Sequence, residues 1–231
     1  LIANNRSTRL LASDNEFGDV KLLQQTFEEA KSYNIDLMRE IYSLDNNLKK
    51  NDVNSNRVNF DINYPWESSD KTYSKDQLEM RDKWQSLLMP SGSMVSARSD
   101  QQHWLTFGTE DLIPILYANN PILMTGGNSE APIRIGELIQ NDEAAESRMI
   151  NWSQVPKGYD LNVRMSGLVW PEASQRIANS AYLTREKIGK GQIILFSGEP
   201  NFRGSARGTN RLWLNAVIYG SGLGTDTLVT Q

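Results

Sequence analysis

The string from Ile188 to Tyr219 constrains the fold more than any other part of the chain. Ile188-Gly-Lys-Gly191 is a hairpin turn signal between two strand-like runs, residues 182–188 and 192–196. The second run, Gln-Ile-Ile-Leu-Phe, is nearly continuous apolar sequence and predicts a central strand buried on both faces. A loop bearing Gly198, Gly204 and Gly208 follows, and Arg207–Tyr219 then reads as a helix closed by Gly220 at the C′ position. Its apolar residues are Leu212, Leu214, Ala216, Val217 and Ile218, and Leu214 is expected to face the sheet. A strand that leads through a loop into a packed helix is an α/β element.

Further strands are expected at residues 93–98, 112–117, 131–135 and 161–169, in a region of short segments with frequent glycine and proline. The earlier chain has a different texture. Phe17, Val20, Leu23, Phe27 and Ala30 recur three and four apart and predict a helix over residues 16–32, with Asp14 as a possible N-cap. A second helical stretch follows over residues 35–48, then an Asn- and Lys-rich loop at 49–59 and a strand at 57–62. A third helix, residues 74–88, has Ser74 as N-cap and ends at Pro90-Ser-Gly92. Residues 13–89 therefore read as an α-rich polar segment, placed within or before an α/β segment at 90–220. Residues 221–231 read as a flexible tail.

Composition removes several chemistries. The chain has no cysteine and one histidine, His103, among 231 residues. That count excludes disulfides, a thiolate zinc site, a catalytic cysteine and any metal site needing two imidazoles. A Ser-His-Asp triad would need His103 as its base, and a lone His beside Trp104 and Leu105 reads as a packed, hydrogen-bonded residue. No Gly-x-Ser-x-Gly elbow and no Walker A loop occur. The carboxylate pairs Glu28-Glu29, Glu110-Asp111 and Asp142-Glu143 lie in polar contexts and read as solvated charge. Six scattered tryptophans share no face and are expected to pack in the core or between subdomains. A net charge of -4 provides no attraction to nucleic acid, and no apolar run approaches the roughly 18 residues of a membrane span. No catalytic residue, metal ligand or cofactor site is expected in this chain.

The candidate site is the loop before the last helix. Arg203, Arg207 and Arg211 are placed to hold an anion near its start, with Asn201 and Asn210 beside them. The alternative role is structural, with Asn201, a buried Arg203 and Asn210 fixing the glycine loop by hydrogen bonds to its backbone. The structural role is the one favoured.

The same string resembles the end of large bacterial zinc carboxypeptidases, in which a metallopeptidase domain is followed by a class I glutamine amidotransferase-like domain. The similar residues are Ile188-Gly-Lys-Gly-Gln-Ile-Ile-Leu-Phe-Ser-Gly-Glu-Pro-Asn-Phe-Arg-Gly204 and Gly208-Thr-Asn-Arg-Leu-Trp-Leu-Asn-Ala216. Pro90 to Asp100 followed by His103-Trp-Leu-Thr-Phe-Gly108 is similar to a strand, Asp and His-Pro-Leu-x-x-Gly turn of that family, with Trp104 in place of the proline. Met165-Ser-Gly167 is similar to a Leu-Ser-Gly element. The opening, Leu1 to Ala12, looks like the strand, elbow and helix that carry the nucleophile in amidotransferase-like folds, with Asn5 near the elbow position.

The resemblance implies an α/β fold, part of an open flavodoxin-like or amidotransferase-like sheet, entered midway at residues 1–12, interrupted by an insertion at 13–89 and resumed at 90–220. It implies a degenerate elbow, since Asn5 offers no thiolate. It also implies a secreted or periplasmic parent whose zinc sits in the peptidase domain, outside this chain. Two functions fit. The first is a non-catalytic accessory domain that packs against or docks the peptidase domain of the same polypeptide. The second is a stand-alone binding module for peptide, carbohydrate or cell-wall material.

Overall fold

The computed structural model describes residues 1–13, 18–22, 75–141, 146–150, 153–204 and 206–223. The chain divides into two compact units, one of Leu1–Thr26 with Gln85–Gln231 and one of Phe27–Trp84. The helix expected at 35–48, the strand at 57–62, both N-caps and most of the tail lie outside the described residues. The helix expected at 16–32 is not what its described part forms: Lys21–Leu22 is a strand paired with Met124 and Leu123, because Leu22 is buried in the sheet's core rather than on a helix face. The third expected helix is present as Lys75–Ser86. The first unit takes in Val20 and Leu22, which are buried in its core. The sheet unit thus reaches beyond the residue 12 boundary that the sequence suggested.

Among the described residues one nine-stranded sheet organises the first unit. Its strands are β1 (Ile2–Asn4), β2 (Lys21–Leu22), β3 (Ser91–Ser99), β4 (Leu112–Ala118), β5 (Leu123–Met124), β6 (Glu130–Ile135), β11 (Arg164–Ser166), β12 (Ala181–Ile188) and β13 (Gly191–Phe196). Two small ribbons pair β7 (Glu137–Gln140) with β10 (Tyr159–Asn162), and β8 (Arg148–Ile150) with β9 (Ser153–Val155). The helices are α1 (Asn5–Ser13), α2 (Lys75–Ser86), α3 (Pro171–Ile177) and α4 (Arg207–Tyr219).

The main path runs β1-β13-β12-β6-β3-β11, with β4 beside β3 and β5 linking β12 to β2. Only the β1–β13 ladder of this sheet is parallel among the described residues, with Ile2 opposite Ile194 and Asn4 opposite Phe196. The protein is mixed α/β with a mixed sheet, and beyond this ladder the described residues add one isolated parallel bridge, Ala97 to Gly136. A two-residue turn at Gly189-Lys190 closes the β12–β13 hairpin, with Ile188 opposite Gly191. Gly189 stands at φ 56, a conformation that costs glycine nothing.

Two expectations change here. Residues 161–169 are not one strand, because β10 belongs to a ribbon and β11 to the main sheet. The chain switches between them at Val163, which is 4% exposed and accepts a hydrogen bond from the Ser96 amide at 2.9 Å. Burial on both faces is complete only at the end of β13, since Ile193 remains half-buried. Ala181 to Thr184 of β12 are buried without interruption and form the centre of the sheet.

The last helix has the expected bounds but a different inner face. Its buried residues are Thr209, Leu212, Asn215 and Ala216. At about 100° per residue these positions share one side, and Leu214 falls opposite Leu212 and Ala216. Leu214 is 48% exposed, so Leu212 supplies the packing expected of it. Gly220 ends the helix at φ -61 rather than in the left-handed region expected of a C′ glycine. Gln192 secures this end, donating to the carbonyls of Gly220 and, at 2.8 Å, Leu223. On the α1 side of the sheet, Ala3, Ala12, Val20, Leu22, Leu123, Ala181 and Leu195 form one apolar cluster.

Candidate functional site

Parallel pairing of β1 with β13 brings the carboxyl ends of both strands to one edge. Asn5 follows β1 directly and is already the first residue of α1. The chain reverses there with Asn5 at φ 42, a conformation that asparagine enters more readily than most residues. Its side-chain amide donates to Glu199 Oε1 at 3.3 Å, and Thr8 Oγ donates to the Phe196 carbonyl at 2.7 Å. The elbow is therefore tied to the loop that leaves β13. A carboxamide at this position is neither a nucleophile nor a base.

His103 serves elsewhere. Its Nδ1 accepts from the Leu105 amide at 3.1 Å, capping the short turn Trp104–Thr106. Its Nε2 lies 3.1 Å from Glu130 Oε2, which also accepts from Arg185 at 3.1 Å. Both ring nitrogens are thus occupied, as in a packed structural histidine. The final helix fastens the same turn, with Asn215 Nδ2 donating to the Leu105 and Phe107 carbonyls at 2.9 Å each. Arg211 Nε donates to the Phe107 carbonyl at 3.0 Å.

The loop after β13 is held by other residues than expected. A Cβ on Gly198 would lie 2.6 Å from Asn120 Nδ2 and 3.3 Å from the Tyr182 ring, so no larger residue fits there. Thr209 Oγ donates to the Pro200 carbonyl at 2.6 Å and closes the loop onto the first turn of α4. The loop-holding role expected of Asn201, Arg203 and Asn210 is not what the structure has. Asn201 and Arg203 are exposed, and among the described residues neither side chain bonds the loop backbone. Asn210 is half-buried, and its Oδ1 is buried with no partner. An exposed guanidinium satisfies its five donors with water, whereas a threonine hydroxyl beside the loop costs little to order.

Arg203 and Arg207 instead come together on the wall of an open groove of about 680 Å³. Arg203 stands at φ 50, with its guanidinium 5.1 Å above the Phe202 ring. Met94 of β3 and Pro114 and Leu116 of β4 also line the groove. Arg211, the third arginine of the loop and helix, is committed to the Phe107 carbonyl and does not line it.

A second polar centre was not anticipated. Asn179 follows α3, is 1% exposed and stands at φ 64. Its amide donates to the Ile150 and Ser153 carbonyls at 3.0 and 2.8 Å, and its Oδ1 accepts from Arg98. Arg134 donates to the Asn179 carbonyl at 3.1 Å and to Thr125 Oγ at 3.0 Å. Burial, and then the charge of Arg134, push the Arg98 guanidinium down to about 10, and burial lowers Arg134 in the same direction. Among the described residues these guanidiniums are held by carbonyl oxygens and the Thr125 hydroxyl. The one local sign in the sequence was asparagine itself, the commonest non-glycine residue in left-handed turns.

Of the carboxylate pairs, Glu110 and Asp111 are exposed, and the other two pairs lie outside the described residues. Among the tryptophans, Trp213 meets Phe196 edge to face at 5.6 Å, while Trp170 is 49% exposed and not in the core. Among the described residues no three His, Asp or Glu side chains gather as metal ligands. No described helix is long and apolar enough to cross a membrane. Comparison with known proteins finds no family model, curated protein or solved structure that matches this chain.

Proposed function

We propose that this chain is a non-catalytic accessory domain of a secreted or periplasmic zinc carboxypeptidase, docking the peptidase domain of the same polypeptide. The observation that carries the docking is the outer face of α4. Leu214, Val217 and Ile218 are 48%, 52% and 61% exposed, and their spacing of three and four puts them on one stripe. Apolar side chains in such a stripe mark an interaction surface, because leaving them in water costs about 25 cal/mol per Å². The elbow supports the non-catalytic part of the reading, since it presents Asn5 bonded to Glu199 where a nucleophile would stand. The peptidase, its zinc and the secretion come from the resemblance of the three sequence strings. With one histidine and no cysteine, the chain does not fit a zinc site of its own.

The test uses the whole polypeptide that contains this chain. Replacing Val217 and Ile218 by Asp is expected to separate the domains, seen as faster cleavage of the linker by trypsin with the melting of this chain unchanged. Unchanged cleavage would remove α4 as the docking face. A coding sequence with no metallopeptidase upstream would remove the parent altogether.

A second reading, a binding module for peptide, is favoured by one observation, the groove that gathers Arg203 and Arg207 over an apolar floor.

A further inference from the structure

We propose that this groove binds the free C-terminus of a peptide whose last residue is apolar. The argument is independent of the docking face on α4. It begins with the alternation of β4. Ile113, Ile115 and Tyr117 are buried on one side of the sheet, so Pro114 and Leu116 fall on the other. Leu116 pairs across the ladder with Met94, which also lines the groove. An amphipathic strand with one solvated face carries polar residues at those outward positions. Here they are apolar and only partly covered, which gives the groove a floor for one apolar side chain.

The wall supplies the opposite chemistry. Arg203 and Arg207 are both exposed, and among the described residues neither guanidinium makes a hydrogen bond or an ion pair. Phe202 supports Arg203 from beneath at the edge of the floor. Among the described residues no Asp or Glu lines the groove. Two planar guanidiniums beside an apolar floor match a carboxylate joined to an apolar group, since the fork of each guanidinium fits two carboxylate oxygens. The volume of about 680 Å³ is that of a site for a small ligand or a chain end.

The strand edge selects a peptide over other apolar acids. Among the described residues β4 pairs with β3 and with no other strand. Asn120 closes its far end, bonding the Leu116 carbonyl and the Ala118 amide at 3.3 and 3.4 Å. No described strand lies beside the outer edge at residues 112–115, and an extended peptide can add there through its own backbone. An alkyl acid has no amides to offer that edge.

The experiment is calorimetric titration of the chain with acetyl-Gly-Gly-Leu bearing a free carboxylate, and with its C-terminal amide, octanoate and inorganic phosphate as comparison ligands. The free acid is expected to bind about tenfold or more tighter than the amide, and tighter than octanoate or phosphate. The double variant Arg203→Gln with Arg207→Gln is expected to lose about tenfold or more in affinity for the free acid, with an unchanged melting temperature. Leu116→Ser is expected to weaken the leucine peptide and to leave acetyl-Gly-Gly-Gly unaffected. Equal binding of acid and amide would overturn the arginine assignment. Octanoate binding as tightly as the peptide would overturn the peptide assignment, and phosphate doing so would reduce the groove to an anion site. No binding of the free acid up to about 1 mM would overturn the proposal as a whole.

Discussion

Replacing Asn179 by Ala breaks the centre that ties the β8–β9 ribbon to the main sheet. The side chain is 1% exposed and makes three hydrogen bonds, two as donor to the Ile150 and Ser153 carbonyls and one as acceptor from Arg98. Removing it strands two acceptors and one N–H of a guanidinium that burial already disfavours. A stranded buried group costs about 1–3 kcal/mol, and the half-buried Ile150 and Ser153 place their terms at the low end. The backbone adds to this, since φ 64 costs alanine about 1 kcal/mol that asparagine largely avoids. The total is about 4 kcal/mol, against a typical domain stability of about 5–15 kcal/mol. Urea unfolding followed by far-ultraviolet circular dichroism measures the loss. Asn179→Gly separates the two causes, because glycine tolerates the positive φ but lacks the amide. It is expected to recover about 1 kcal/mol of the alanine loss and no more. A loss below about 1 kcal/mol in Asn179→Ala would refute the reasoning, since water would then be serving all three groups.

The inner face of α4 predicts a contrast, with Leu212→Ala costing about 3 kcal/mol and Leu214→Ala less than about 1 kcal/mol in the same unfolding assay. Thr184 carries a buried hydroxyl with no partner, so Thr184→Val is expected to leave stability unchanged or to raise it by up to about 1 kcal/mol in thermal unfolding. Burial raises the Tyr117 phenol above its ordinary value of 10.0. Above about pH 10 the unfolded chain loses this proton while the folded chain keeps it, so the term reduces stability as pH rises. Stability measured from pH 9 to 11 is expected to fall less steeply in Tyr117→Phe than in the parent, by up to about 1.4 kcal/mol per pH unit.

Local rules made much of the fold legible. The two-residue glycine turn marked the β12–β13 hairpin, and the bounds of α4 followed from its flanking glycine loop and Gly220. What local rules missed has a physical cause in each case. The inner face of α4 was misread because two of its inward positions, Thr209 and Asn215, are polar. They are inward because they hold loop carbonyls, while Leu214, Val217 and Ile218 sit outside. An apolar count therefore points to the wrong side. The break at Val163 depends on a change of pairing partner that no residue between 161 and 166 announces. The loop arginines were legible as a group, but their division was not. Arg211 serves a turn more than a hundred residues earlier in the chain, whereas Arg203 and Arg207 meet β3 and β4 residues that only the sheet brings near. Arg98, Arg134 and Asn179 likewise come together only through the pairing of β3 with β6 and the turn after α3.

The claim that α4 is covered by a second domain of its own polypeptide has a direct measurement, the reactivity of a single thiol introduced into this chain, which has no cysteine of its own. Val217→Cys places a single thiol in the exposed stripe, and Lys157→Cys places one on the exposed turn between β9 and β10, away from α4. The rate of each thiol with a maleimide reagent is read in this chain alone and in the whole polypeptide. The account predicts that the thiol at 217 reacts at least about tenfold more slowly in the whole polypeptide, as burial of the stripe requires, while the thiol at 157 reacts equally in both. Equal rates at 217 in both contexts would contradict the account.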